Sequence, residues 1–203
     1  EIINRSKLAT PGVQAQKKLV SALLSNEIQL NLGFEGNGPE VSVAQSIIFK
    51  NKLISGGGRK HLRLNPPGID SDANLLKIWE HIQKFLNESD SKSRGLHLLI
   101  NELKQPPYGM KQGLINLLLW IILIYNQKSL SIYENNTYLP KWGSEIFERF
   151  TKAPENFTVR WLGYNEQLDE LLKTLNDSIP VDEKDAITDN LTVANFIYKL
   201  FHW

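Results

Sequence analysis

The chain has 203 residues, 41% of them hydrophobic and 22% charged, with a formal net charge of +1 at pH 7. That length suits one domain or two small ones burying roughly 70% of the unfolded surface, and the near-zero charge gives no global pull toward nucleic acid or membrane. With no cysteine, disulfides, thiolate metal sites and thiol nucleophiles are excluded together, which fits a cytoplasmic protein.

The chain opens Glu1-Ile2-Ile3, without an initiator Met or a basic-then-apolar leader. It therefore reads as a piece of something longer, or as a processed product. Residues Gln14–Asn31 carry Leu19, Leu23 and Leu30 at helical spacing, with Lys17 and Lys18 on the opposite face. Leu32–Glu40 then breaks the pattern. Its glycines, Gly33, Gly36 and Gly38, do not have the spacing of a dinucleotide-binding turn, and Pro39 reads as the first residue of a helix Glu40–Lys50. The loop Ser55-Gly56-Gly57-Gly58-Arg59-Lys60-His61 follows. Asp70 or Asp72 is expected to cap a helix through Leu75, Trp79, Ile82 and Leu86. Asn87–Arg94 is polar and turn-rich, a surface linker and the expected boundary between residues 1–90 and 91–203.

Leu96–Leu103 is a short amphipathic helix, halted by Pro106-Pro107. The next run, Leu114–Tyr125, is apolar at almost every position, so it must be packed on all sides; it is shorter than the ~20 residues that span a bilayer. Leu130–Tyr133 and Thr137–Leu139 flank Asn135-Asn136, a pair suited to the positive φ of a hairpin turn. Ser144 is expected to cap a helix through Ile146, Phe147 and Phe150, and Thr158–Leu162 to add a third strand. Glu166–Leu175 reads as helix, Asp177–Asp189 as an acidic loop, and Leu191–Trp203 as a helix whose stripe of Val193, Phe196, Ile197, Leu200 and Phe201 needs a cover. The fold class expected is mainly α with a small antiparallel sheet: a helical N-terminal part and a winged-helix-like C-terminal part.

Catalytic chemistry finds little support. Gly56–Lys60 is glycine-rich, but a phosphate-binding P-loop needs Lys and then Ser or Thr opening a helix. His61, His81, His97 and His202 have no metal-ligand spacing, and no nucleophile elbow is present. Glu145 and Glu148, beside Arg149, read as a solvated helix face with an ion pair. No catalytic residue, metal site or cofactor is assigned. The sharper signal is electrostatic. Lys50, Lys52, Arg59, Lys60 and Arg63 fall in a span without a single acid, and such a loop can track a phosphate backbone. The helix before the hairpin presents Leu, Ile and Trp120 rather than the polar groups of a DNA recognition helix, so base reading is not expected of it. The wing, with Tyr133, Asn135, Asn136 and Tyr138, remains a candidate for backbone or protein contact.

Several phrases together resemble the region C-terminal to the ATPase core of large bacterial P-loop ATPases, including those of phage-defence islands related to BREX-type systems. They are Gly36–Glu40, the helix around Trp79 and Phe85, Pro106–Gly109 before an apolar helix, Ile132–Glu134 with Tyr138–Pro140, Glu148–Phe150, and Pro154–Phe157. The resemblance implies a helical segment with a winged-helix-like module, belonging to an antiviral defence protein that acts on or near DNA. The Walker residues of such an ATPase are missing, so nucleotide hydrolysis does not carry over. The expected function is a non-catalytic module contacting the DNA backbone or positioning a partner subunit. The alternative is a protein-interaction or oligomerisation domain without nucleic-acid contact. Neither involves a membrane.

Overall fold

The computed structural model describes residues 10–25, 27–56 and 62–163, together with 170, 171 and 174. The elements expected at Glu166–Leu175, Asp177–Asp189 and Leu191–Trp203 lie, but for those last three residues, outside the described residues, as do Arg59, Lys60 and His61.

Among the described residues the α-helices bounded at both ends are α1 Thr10–Leu23, α2 Pro39–Ala44, α3 Ala73–Asn87, α4 Leu96–Lys104, α5 Gln112–Tyr125 and α6 Ser144–Lys152. A two-stranded ribbon pairs β1 Ile54–Ser55 with β2 Arg63–Leu64. A four-stranded antiparallel sheet has the order β3-β6-β4-β5, from Arg94–Gly95, Phe157–Trp161, Leu130–Glu134 and Thr137–Tyr138. The fold is mainly α with small antiparallel sheets. The helix α5 followed by the β4–β5 hairpin is the order expected from the sequence, with β6 inserted between β3 and β4 in the sheet.

The apolar run behaves as its composition requires. Every residue from Ile115 to Ile124 is buried, and each buried Leu or Ile contributes about 1.5–3 kcal/mol through removal of apolar area from water. α1, α3 and α4 pack around α5. On another side Trp120, fully buried, receives Trp142, Phe147 and Phe150 edge-on, with ring centroids 6.2, 5.6 and 6.0 Å away. Asn116, the polar residue within the run, is buried and accepts a bond from the Gln112 side-chain amide at 2.7 Å. α1 also packs on α6, so one cluster of buried side chains runs from Ala15 to Val159 and crosses residue 90 without a gap.

Local rules account for most boundaries. Asp72 caps α3, its carboxylate accepting from the Asn74 and Leu75 amides, and Pro39 opens α2. Asn135 and Asn136 take φ of +49° and +65°, as a type I′ hairpin turn demands. β6 joins the hairpin as the third strand, with Ile132 opposite Val159.

Two expectations are corrected. The helix read over Gln14–Asn31 stops at Leu23. Ser25 donates to the Glu27 carbonyl, the kind of local bond that competes with helix, and Ile28 bridges to Leu62; Leu30 is consequently 57% exposed rather than in the core. Gly143, not Ser144, stands at the N-cap of α6, and no side chain caps it. Asn87–Arg94 lies on the surface as expected, and within it Ser89 alone is buried, its hydroxyl accepting from the Trp161 amide at 2.9 Å. Arg94 lies over the Phe85 ring, 3.7 Å from its centroid, and donates to Glu88 at 2.7 Å.

Candidate nucleic-acid interface

The basic stretch begins where α2 ends. After Ala44 the helix widens into a π turn over Gln45–Phe49, and Asn51 follows it into the interior. The Asn51 amide donates to the Ser46 and Ile47 carbonyls at 3.3 and 3.0 Å, while its side-chain oxygen accepts from the Asp72 amide at 3.2 Å. Its backbone carbonyl accepts from the Ser71 hydroxyl at 2.9 Å. One buried side chain thereby ties the end of α2 to the start of α3. The flanking residues Lys50 and Lys52 are left in solvent. Lys52 has φ of +53° and lies 3.1 Å from the exposed Asp70, a surface pair of the kind that contributes roughly 0–1 kcal/mol.

The ribbon then carries Arg63 outward. Asn65 fastens it: the Asn65 amide bonds the Leu53 carbonyl at 2.7 Å, and its side chain donates to the Ser55 hydroxyl at 2.7 Å. The bridge from Ile28 to Leu62 attaches the ribbon to the segment after α1. Between the end of α1, the ribbon and the C-terminal end of α5 lies a groove of about 260 Å³. Its lining includes Arg63 from the ribbon, Tyr125 and Lys128 from the end of α5 and the turn after it, and the apolar Ile28 and Ile124. Among the described residues, none that line it is acidic.

Of the five cations expected to act together, Arg63 thus meets this groove, while Lys50 and Lys52 are exposed beside the ribbon and do not line it. The wing is elsewhere. Lys128 precedes β4 and Asn135 follows it, so a five-residue strand, roughly 16 Å at ~3.3 Å per residue, separates groove from hairpin tip. Tyr133 and Tyr138 are half-buried and pack edge-on against each other at 5.8 Å. Glu134 is engaged by Arg149 through bonds of 2.9–3.0 Å, which raises the pKa of that guanidinium. Asn135 and Asn136 are exposed, but the four wing residues bring no positive charge.

Sequence reasoning missed Tyr125 and Lys128. The signal was present at the point where the apolar run gives way to Tyr125-Asn126-Gln127-Lys128. Tyr125 is 40% exposed, the first residue after Ile115 in α5 to reach solvent, and it is braced by Trp79 at 5.5 Å in an edge-to-face contact.

Two other hollows differ in character. One, about 690 Å³ and open, runs along α3 between Trp79 and Asp90. Glu80, Glu88 and Asp90 line it against the single cation Lys84, so it repels phosphate. A hollow of about 390 Å³ lies between α3 and the Pro107–Tyr108 turn. Near that turn His81 bonds Glu102 at 2.9 Å and lies against the Tyr108 ring at 4.9 Å, joining α3 to α4. Among the described residues no group of three or more His, Cys, Asp or Glu is placed to hold a metal ion, and no helix is long and apolar enough to cross a membrane.

No known protein family, curated protein or solved structure matches this chain.

Proposed function

We propose that the chain is a non-catalytic binding module that contacts a nucleic-acid backbone within a larger bacterial ATPase or defence protein of the cytoplasm. The observation that supports this reading is that Arg63 and Lys128, distant in sequence, line one groove where no described residue is acidic. Exposed Lys50 and Lys52 extend the basic surface along the ribbon. Phosphate contacts need only cations held near a surface, and they position a strand without reading its sequence. The ATPase and defence setting rests on the resemblance described above, and any hydrolysis would belong to another part of that protein.

A protein-docking module is the competing reading. The exposed apolar side chains Leu30, Ile69, Leu98 and Leu162 favour it, since such groups on a free surface serve interfaces.

Fluorescence anisotropy with labelled DNA at low and physiological salt separates the two. Backbone contact predicts binding that weakens steeply with salt and is lost in the Lys50/Lys52/Arg63 triple alanine variant, with an unchanged melting curve. Absence of binding even at low salt removes the nucleic-acid reading and leaves protein docking.

A further inference from the structure

The sequence contains one Asn-Gly pair, Asn37-Gly38. Asn37 is exposed, in the turn that leads from Gly36 to Pro39 at the start of α2. Such a pair carries a reaction of its own. The backbone nitrogen that follows an asparagine can attack the side-chain carbonyl carbon of that asparagine, and the residue owning the nitrogen hinders the approach through its Cβ. Gly38 has no Cβ, and glycine on both sides leaves the backbone free to bring the two atoms together; Gly36 already takes φ of +73°. The Gly38 amide lies outside the ladder of α2, whose first bonds run from the Val41 and Ser42 amides to the Gly38 carbonyl at 3.1 and 3.2 Å. Exposed Asn31, Asn135 and Asn156 precede Leu32, Asn136 and Phe157 instead, whose side chains stand in the way.

We infer that Asn37-Gly38 is a self-modification site, at which the folded chain converts Asn37 to isoaspartate and loosens the start of α2. The Gly38 nitrogen bonds to the Asn37 side-chain carbonyl carbon. The bond from that carbon to the amide nitrogen breaks, and ammonia leaves with the proton that Gly38 gives up. Water then opens the five-membered imide at one of its two carbonyls. Opening at the side-chain carbonyl leaves an ordinary aspartate. Opening at the backbone carbonyl gives isoaspartate, which routes the chain through the former side chain and lengthens the backbone by one carbon. That carbon enters one residue before Gly38, the N-cap of α2, so the turn no longer sets Pro39 and Glu40 where they stand now. Glu40 is the residue by which α2 pairs with Lys18 of α1, at 2.6 Å.

The test incubates the full chain, folded, at neutral and at mildly alkaline pH and follows it by mass spectrometry of fragmented peptides. The expected result is exchange of NH for O at Asn37 ahead of every other asparagine, faster at the higher pH. The product should contain isoaspartate, detected with an isoaspartyl methyltransferase. Direct hydrolysis of the amide yields only aspartate, so isoaspartate marks the imide. Gly38→Ala should slow the reaction severalfold. Its φ of −65° and ψ of 165° are open to alanine, and the atoms nearest the added Cβ belong to the Glu40 carboxylate, the free end of a side chain that can swing aside. The modified chain should exchange its amide hydrogens faster in α2 while α5 keeps its protection. Reaction at Asn37 only after unfolding in urea overturns the site, as does aspartate without isoaspartate or an unchanged rate in Gly38→Ala. Isoaspartate at Asn37 with unaltered exchange in α2 overturns the loosening of the helix. Should Gly38→Ala fail to fold, the unaltered chain compared with and without urea decides the matter.

Discussion

Helix α5 and the β1–β2 ribbon meet at one groove, yet they are held in place by opposite means. α5 is buried from Ile115 to Ile124 and owes its position to apolar area and to aromatic edges around Trp120. The ribbon has two residues in each strand and is fastened by polar bonds through Asn65, next to the Asn51 clasp that joins the end of α2 to the start of α3. The difference separates cohesion from reach. A helix packed on all sides cannot offer a face to a ligand, so only its last residue, Tyr125, and Lys128 in the turn that follows reach the groove. The thin ribbon adds little cohesion but leaves its cations in water, where a phosphate can meet them.

The contrast breaks most sharply at Trp120. Trp120→Ala should cost about 3–5 kcal/mol, the transfer term plus a cavity that its ring neighbours cannot close, read from chemical denaturation. Trp120→Phe should cost much less, because the Trp120 Nε1 proton is buried without a hydrogen-bond partner and its removal relieves that group.

Asn51→Ala tests the polar side. It leaves the Ser46 and Ile47 carbonyls and the Asp72 amide without their bonds, a loss of about 1–3 kcal/mol. Hydrogen exchange should quicken at the end of α2 and the start of α3 while α5 remains protected. Equal loosening of α5 would show that the two regions are not held independently.

A smaller effect comes from the clasp between α1 and α6. Lys152, with Lys17 beside it, holds the Glu148 carboxyl at about 2, below its ordinary 4.5; the ammonium groups lie 2.8 and 2.6 Å away. A carboxyl with a depressed folded-state pKa stabilises fully above pH 4.5 and loses that contribution as pH falls toward about 2. Thermal melts between those values should therefore flatten in Glu148→Gln, and the melting temperature at pH 7 should fall by the same amount, a small one because both partners are partly solvated.

Much of the fold was legible beforehand because its signals are local. Apolarity at nearly every position of Leu114–Tyr125 announces burial whatever surrounds it, Asn-Asn announces a turn with positive φ, and Asp72 before an apolar stripe announces a helix start. The candidate site was legible only by half. A run of cations without acids is visible in one dimension, and Arg63 came from it. Lys128 and Tyr125 come from a segment 62 residues away from Arg63 and more, and nothing in their neighbourhood names the ribbon as their partner. The wing shows the converse failure. Its turn chemistry was read correctly, but β4 carries the tip away from the groove, so the hairpin and the basic stretch do not share one surface.

By itself the sequence determined the helices, the hairpin and the absence of cysteine chemistry, because backbone propensity, turn stereochemistry and apolar periodicity act over a few residues. Only the tertiary structure decided which cation stands beside which aromatic ring. That choice depends on how α1, α5 and the ribbon pack together, and packing is a property of surfaces that the chain brings into contact only after it has folded.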